Sequence, residues 1–592
     1  VRIPFFISPC IVGALIAIVA FKAEAQSFVA SLPSQISVGV GGTGPDNESD
    51  ELELSPNSGI AAFRSSASNL VVGDTNEKAD IFVRSAEGVI SRISVASDGT
   101  QADDSSRGTA ISQVAANGAY GVAFMSKATN LVAGLTSRET EFDQVYLRIP
   151  TLGKTYLVSR AYPESGFLGA LAECEFPSVV AVDNGAKFLV AFHSTADNLV
   201  RDAVPPGTVG NQRLKRIFLA EITTATGEVT LGAFTGREGF QADGDIMEPV
   251  LSGYGDQILF RTNASNLGWT SPGPSVYQVA VATKEVIRSG GSAQLISKSP
   301  VDGSPGTENS YSHAMSFNAT RFVFKTTSSN ILQGTPQSPS MVAYSTKTNQ
   351  YTLINQNEAG ERGNGINSGI EPVRVEPNGR LVAFVDTSSN YLPTGTDTNG
   401  KADIFVKDLQ TNKIVRVNLG PGGVEDTSTL STTGGATLGT LGFNAQTATV
   451  GFHSNSSVLR QFGTSFAKEV YRSTLTFPSR PFDNNTVIET PPDVVPGAKK
   501  LLLILQKFDT TNLKATASEV SAMAKSVTYD IRLTYTTKKK KLKVISTRNR
   551  VTLRNLSPGQ YTVKYRVSGT LKSGKKVTTK FSPLVNVTVS KK

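Results

Sequence analysis

"GVAFMSKATNLV", residues 121–132, joins an apolar run to a Ser and then to a polar turn that ends at Asn130 and Leu131. Nearly the same words recur along the chain. "AAFRSSASNLV" begins at residue 61, "VAFHSTADNLV" at 190, "ILFRTNASNLG" at 258, "FVFKTTSSNIL" at 322, "VAFVDTSSNYL" at 382 and "VGFHSNSSVLR" at 450. The aromatic of each copy falls at Phe63, Phe124, Phe192, Phe260, Phe324, Phe384 and Phe452, at intervals of 61, 68, 68, 64, 60 and 68 residues. An Asn follows six residues later in six copies (Asn69, Asn130, Asn198, Asn266, Asn330 and Asn390), and Val458 takes that place in the seventh.

A repeat of this length has room for four short strands and their turns, which is one blade of a β-propeller. A tight turn such as "PNSG", "ANGA" or "PNGR" precedes each Phe strand, so two strands meet there in a hairpin. A third strand follows a variable loop ("DIFVR" at 80, "QVYLR" at 144, "DIFVK" at 403), and a short turn leads to a fourth ("ISRISV" at 90, "KIVRVN" at 413). Helix-period patterns are nearly absent, and 53 Gly and 28 Pro in 592 residues suit a turn-rich all-β chain. The recurring Asn is read as a turn residue, bonding nearby backbone and tolerating left-handed geometry. Its recurrence at one register points to architecture.

The seventh copy lacks a fourth strand. "SQISVGVGGTGPDNESDELELSPNSG", from residue 34, matches "SRISVASDGTQADDSSRGTAISQVAANG", from residue 91, which runs from a fourth strand into the first strand of the next repeat. The expectation is a seven-bladed propeller over residues 26–477, closed by the N-terminal strand. These words resemble the TolB-type propeller repeats of bacterial exported proteins, whose blades carry similar "G-x-x-V-A-F-x-S" and "D-I-F-V" strands. The resemblance spans about residues 34–477 and implies a platform for protein binding. It departs from TolB itself in having seven blades and no α/β domain before them.

Residues 1–25 carry Arg2, an apolar segment around "IVGALIAIVAF" and a small-x-small "AEA", the pattern of a signal peptide released before Gln26. The apolar core is shorter than the roughly 18–20 residues a membrane span needs, and no later segment is long enough. The expected location is therefore the periplasm or the exterior, including the cell surface. Cleavage leaves Cys174 as the only cysteine, read as a small buried apolar residue.

Residues 478–497 form a Pro-rich linker, and 498–592 alternate like a small β-sandwich. Within "LRNLSPGQYTVKYRV" the residues Leu556, Pro558, Gly559 and Tyr561 resemble the fibronectin type III pattern, with Tyr561 as its corner tyrosine. The sandwich lacks the usual second-strand Trp, and residues 515–525 are read as an irregular helical turn. Charge is uneven: residues 488–592 hold 22 Lys and Arg against 5 Asp and Glu, a net of +17. The whole chain is +9, so residues 1–487 carry −8. Lys538, Lys539, Lys540 and Lys541 are read as a basic hairpin tip, either solvated surface or an attachment point for an anionic surface. Nucleic acid is set aside because no aromatic stacking motif interleaves the basic residues.

Nothing in the chain matches a phosphate loop, nucleophile elbow, zinc signature or dinucleotide fingerprint. His193 and His453 share one repeat position, directly after the strand Phe, and His313 stands alone. "DTNEKAD" (Asp74 to Asp80) and "DTNGKAD" (Asp397 to Asp403) present oxygens of the kind calcium prefers, without the ligand set of an EF-hand. They are read first as turns.

The loops between second and third strands and between successive blades are long, and in a propeller both sets emerge on one face. That face offers Phe167, Phe240 and Trp269, with Trp269 equally able to pack locally, and Asp103, Asp104, Glu173, Glu175, Glu238, Asp243, Glu425 and Asp426. His313 completes the binding candidates. The leading expectation is a non-enzymatic binding or scaffold protein for a protein or polysaccharide of the cell envelope. The alternative is an extracellular carbohydrate-active lyase or hydrolase.

Overall fold

A computed structural model describes residues 28–476 apart from 202–207, 210–211, 235, 237–240, 333–338, 366–371, 428–432, 441–446 and 463–466. Beyond them it describes Asp493–Gly497, Lys500–Ile504, Ser526–Tyr535, Lys540–Ser546, Arg550–Arg554, 556–557, Gly559–Thr570, Lys576–Thr578 and Val585–Val589. The leader, most of the linker and the helical turn expected at 515–525 lie outside these residues. Among the described residues no helix is long and apolar enough to cross a membrane.

The chain is all-β. Among the described residues, six four-stranded antiparallel sheets, one five-stranded sheet and a two-stranded ribbon (Thr208–Val209 with Gln212–Arg213) occupy residues 29–476, and every four-stranded sheet takes its strands in chain order. The first sheet, for example, runs Ser49–Leu54, Ala61–Ser65, Asp80–Arg84 and Ile90–Arg92. The seven repeat Phe residues lie on the second strands and are fully buried. Alternation explains why, since every second residue of a strand faces the same side. In five sheets that Phe lies opposite an aromatic of the third strand and stacks on it: Phe63 on Phe82, Phe124 on Tyr146, Phe192 on Phe218, Phe384 on Phe405 and Phe452 on Tyr471.

Apolar clusters lie between successive sheets. One joins Val122, Phe124 and Tyr146 of the second sheet to Ala62, Ile81 and Val83 of the first. Another joins Val470 of the seventh to Leu52, Leu54 and Phe63 of the first. A single backbone bond also recurs between neighbours, donated by the opening residue of a first strand to the carbonyl just before the preceding sheet's third strand. It runs from Ser106 to Ala79 (2.7 Å), Cys174 to Asp143 (3.0 Å), Ile246 to Lys215 (2.9 Å) and Ser310 to Tyr277 (2.8 Å). The N–H of Ser49 makes the same bond to Lys468 O of the seventh sheet, at 2.8 Å.

The fourth and fifth strands of the seventh sheet come from the N-terminal residues. Ser34–Gln35 pairs with Arg472 and Tyr471, and Val29–Ala30 pairs with Thr476 and Leu475. The pairing therefore begins earlier than the sequence reading placed it. Pro33 interrupts it, having no N–H to give. Glu469 is buried at this junction and accepts from Gln35 Nε2 and Ser37 Oγ, each at 2.7 Å. Burial pushes its carboxyl up to about 7.

The recurring Asn works differently from the sequence reading. None of the six is left-handed, and each bonds a loop more than twenty residues upstream. Asn130 donates to Gln101 O (2.8 Å) and accepts from Asp103 N (3.1 Å), while Asn198 spans Gly169 O (2.8 Å) and Leu171 N (3.0 Å). Each Asn thus clips the connection that arrives from the preceding sheet. An Asp or Asn in four of those connections answers in the other direction, as Asp46 does to Ser68, Asp103 to Thr129, Asp243 to Ser265 and Asn364 to Ser389.

In the C-terminal region Asp493–Gly497, Lys500–Ile504 and Arg550–Arg554 form one sheet. Lys540–Ser546, Ser526–Tyr535, Gly559–Thr570 and Lys576–Thr578 form a second in that order, with Val585–Val589 also on Gly559–Thr570. The hydroxyl of Tyr561 donates to Ser557 O at 2.9 Å, the bond expected of a corner tyrosine.

Candidate functional site

Every described first strand except the sixth carries a bulge. The register slips between Asp50 and Glu53, Arg107 and Ala110, Glu175 and Ser178, Met247 and Val250, Tyr311 and Ala314, and Gly434 and Thr437. A left-handed residue sits in each: Glu51 (φ 47°), Gly108 (69°), Phe176 (55°), Glu248 (55°), Ser312 (50°) and Gly435 (64°). A non-glycine residue pays about 1 kcal/mol or more for this backbone. Bulges concentrate where a strand must re-aim a side chain. At Gly108 a Cβ would stand 2.5 Å from Met125 Cε, and at Gly435 2.5 Å from His453 Nδ1, so those two positions hold no side chain.

The third, fourth and fifth sheets join their bulges through two buried histidines. The Glu248 N–H donates to His193 Nδ1 at 3.1 Å, which leaves the proton on Nε2, facing Glu175 Oε2 at 3.2 Å. The Glu248 carbonyl accepts from His313 Nε2 at 2.8 Å. Burial pushes both imidazoles below the usual histidine range, so both are neutral at pH 7. The hydrogen bond from His193, reinforced by Lys215 Nζ 3.0 Å away, holds the Glu175 carboxyl at about 2. The Glu248 carboxylate bonds Arg261 at 3.0 Å, and that guanidinium lies 4.3 Å over the Tyr277 ring. Phe176 stacks on His193 with centroids 5.4 Å apart and is 54% exposed.

Other bulges connect in the same manner. Glu51 Oε2 accepts from Gly108 N at 2.6 Å, and Glu53 meets Arg374 at 3.3 Å and Thr437 at 3.0 Å. Charged groups here are held by one another or by backbone. His313 is thus a clamp on the Glu248 peptide, and its buried Nδ1 has no hydrogen-bond partner among the described residues.

The remaining candidates are dispersed. Trp269 is half-buried against the cluster between the third and fourth sheets, and Phe167 is half-buried beneath Arg138, 5.3 Å from its ring centroid. Phe240 and Glu238 lie outside the described residues, as do Lys538 and Lys539. Lys540 opens a strand opposite Tyr535, and Lys541 is exposed. Of the acidic loop residues, Asp103 and Asp243 are spent in the clips between sheets. Glu173 bonds Lys127 at 3.1 Å, and Asp104 lies 3.5 Å from Lys78. Glu175 belongs to the bulge.

The paired aspartates hold guanidinium groups. Arg92 lies 3.3 Å from Asp74 and 3.5 Å from Asp80, and Arg416 lies 3.2 Å from both Asp397 and Asp403 and 2.6 Å from Glu425. Burial still pushes Asp80 and Asp397 up to about 6. Among the described residues no three His, Cys, Asp or Glu side chains cluster as a metal site. Cys174 is fully buried, and burial pushes its thiol up to about 12.

No family model matches the chain, and no curated protein does. Solved structures similar to it include TolB from Acinetobacter baumannii, at 11% identity, 64% of this chain, 65% of that one and a TM-score of 0.30. They also include oligogalacturonate lyase from Vibrio parahaemolyticus, at 8%, 76%, 96% and 0.41. The β-propeller domain of the Trilobed protease from Pyrococcus furiosus gives 9%, 73%, 94% and 0.36. The chain spans just under two thirds of the length of the A. baumannii TolB. At these scores none of them bears on what this chain does.

Proposed function

We propose that this chain is an exported binding or scaffold protein without catalytic activity. Its seven sheets are the blades of a propeller closed by the N-terminal strand, and its basic C-terminal part is a fibronectin-like module that attaches to anionic envelope material. The observation that carries the non-catalytic reading is the state of the ionisable groups at the bulges. Glu175 is ionised and bonded twice, Glu248 is paired with Arg261, and His193 and His313 are tied to a backbone peptide. A general acid or base needs a proton affinity near the working pH and a free approach to substrate. Asp74, Asp80, Asp397 and Asp403 serve their arginines and carry no calcium. Closure is supported by the Ser49–Lys468 bond, and the fibronectin-like reading by the order of the two sheets and the Tyr561 bond.

One preparation tests the whole reading. Expressed with its leader, the chain should be recovered beginning at Gln26, bound to anionic envelope fractions and released near 1 M salt, where the Debye length is about 3 Å. Replacing Lys538 through Lys541 with Gln should weaken that binding. The purified protein should leave polysaccharide and peptide panels intact, with calcium, manganese or chelator. Turnover abolished by His313→Ala would sink the non-catalytic reading and favour a carbohydrate-active enzyme, and salt-independent retention would sink the attachment role.

A further inference from the structure

Phe176 occupies a backbone conformation that glycine fills at two of the equivalent positions, and it does so with an exposed aromatic ring. The ring is not loose. It lies against buried His193 at an interplanar angle of 18°, and His193 is itself fixed by Glu175 and the Glu248 N–H. The left-handed backbone is common to the six bulges; what sets Phe176 apart is an aromatic ring held rigid while more than half exposed, and such a ring marks a place where an outside molecule is read.

The chemistry beside the ring narrows the ligand. Glu175 pairs with Lys215 at 3.0 Å at one edge of the imidazole that Phe176 covers, and Glu248, whose N–H bonds the other edge, pairs with Arg261 at 3.0 Å, so the charges grouped about His193 already cancel. A polyanion or polycation would have to compete with those internal partners. Hydroxyl groups would not, because a paired carboxylate keeps free lone pairs and a paired ammonium or guanidinium keeps free N–H groups. One apolar face beside such donors and acceptors complements a molecule with a C–H face and hydroxyls at its edge.

We propose that Phe176, with the pairs Glu175–Lys215 and Glu248–Arg261, forms a binding site for an uncharged saccharide. The sugar ring stacks on Phe176, and its hydroxyls bond the paired charges. This site rests on the binding-platform reading and deepens it by naming the ligand class.

The test is calorimetric titration of the full chain with cellohexaose, maltohexaose, xylohexaose and laminarihexaose, with hexagalacturonate and an unstructured peptide pool as charged and peptidic controls. At least one neutral probe should bind. Phe176→Gly, which suits a φ of 55°, should weaken that binding by about tenfold or more without lowering the melting temperature. Phe176→Tyr should retain it. Failure of every neutral probe at millimolar concentration overturns the site, as does binding by the glycine variant equal to the parent or binding of the charged or peptide controls alone. Mass spectrometry of the recovered sugars separates the two claims. Cleaved sugar contradicts the non-catalytic reading and leaves the site standing, whereas intact, unbound sugar contradicts the site alone.

Discussion

A chain lacking residues 28–37 is expected to collect largely in the insoluble fraction, and any soluble remainder to melt about 10 °C or more below the parent. The deleted segment buries Phe28 and Ile36, each worth roughly 1.5–3 kcal/mol. Its loss also removes both donors from Glu469, which stays in the interior without Gln35 or Ser37. An acceptor orphaned in this way costs roughly 1–3 kcal/mol more. The remaining strand, Glu469–Thr476, would then expose its backbone as an unpaired edge, and such edges recruit other chains. Differential scanning calorimetry with sedimentation of the lysate reads both effects. A soluble deletion variant with the parent's melting temperature contradicts the account.

The second large effect is expected at Arg416. Its guanidinium is nearly buried and faces Asp397, Asp403 and Glu425, so Arg416→Met leaves uncompensated carboxylates. Breaking a buried pair by removing one partner costs roughly 3–5 kcal/mol. The loss should depend on pH with a definite sign. Asp397 already has a folded-state pKa of about 6, above its ordinary value of 3.8, so the folded state binds a proton more readily than the unfolded one between those values. Its contribution is present at low pH and is lost as the pH rises through 6. Without Arg416 that window extends upward. The gap in melting temperature between variant and parent should therefore be wide at pH 8 and narrow towards pH 5. Millimolar calcium should leave the parent's melt unchanged. A calcium-dependent rise would mean that these carboxylates hold a metal.

The repeat words made much of the fold legible. Seven spaced Phe residues located the second strands, and the match between residues 34 and 91 located the strand that pairs at the far end of the chain. The Asn clips were seen but misread. Their partners are backbone groups of a loop arriving from another sheet, and backbone leaves no mark in side-chain identity. The aspartate loops were read as turns, without their counter-charge. Arg92 and Arg416 sit at one register in the fourth strands of the two repeats that carry "DTNxKAD", so the counter-charge was visible in sequence.

The bulges were missed because alternation was read through them. Gly108, Pro177, Pro249 and Gly435 break the alternation of their strands, and a Gly or Pro inside a strand is a bulge signal. Which bulges carry Glu or Phe followed from no pattern. That choice is specific to the site, and only the register and the contacts of His193 and His313 gave it meaning.

The claim on which the rest stands is that both termini of the repeat array complete a single ring, giving the bulges a rigid frame. Hydrogen exchange tests it most directly. The amides of Ser31, Ile36 and Ser49 bond Thr474 O, Val470 O and Lys468 O at 2.8, 2.7 and 2.8 Å. A closed ring protects them as strongly as Ser106 and Cys174, whose bonds between neighbouring sheets match that of Ser49. Exchange of Ser31, Ile36 and Ser49 at the rate of free loops, with Ser106 and Cys174 still protected, would contradict it.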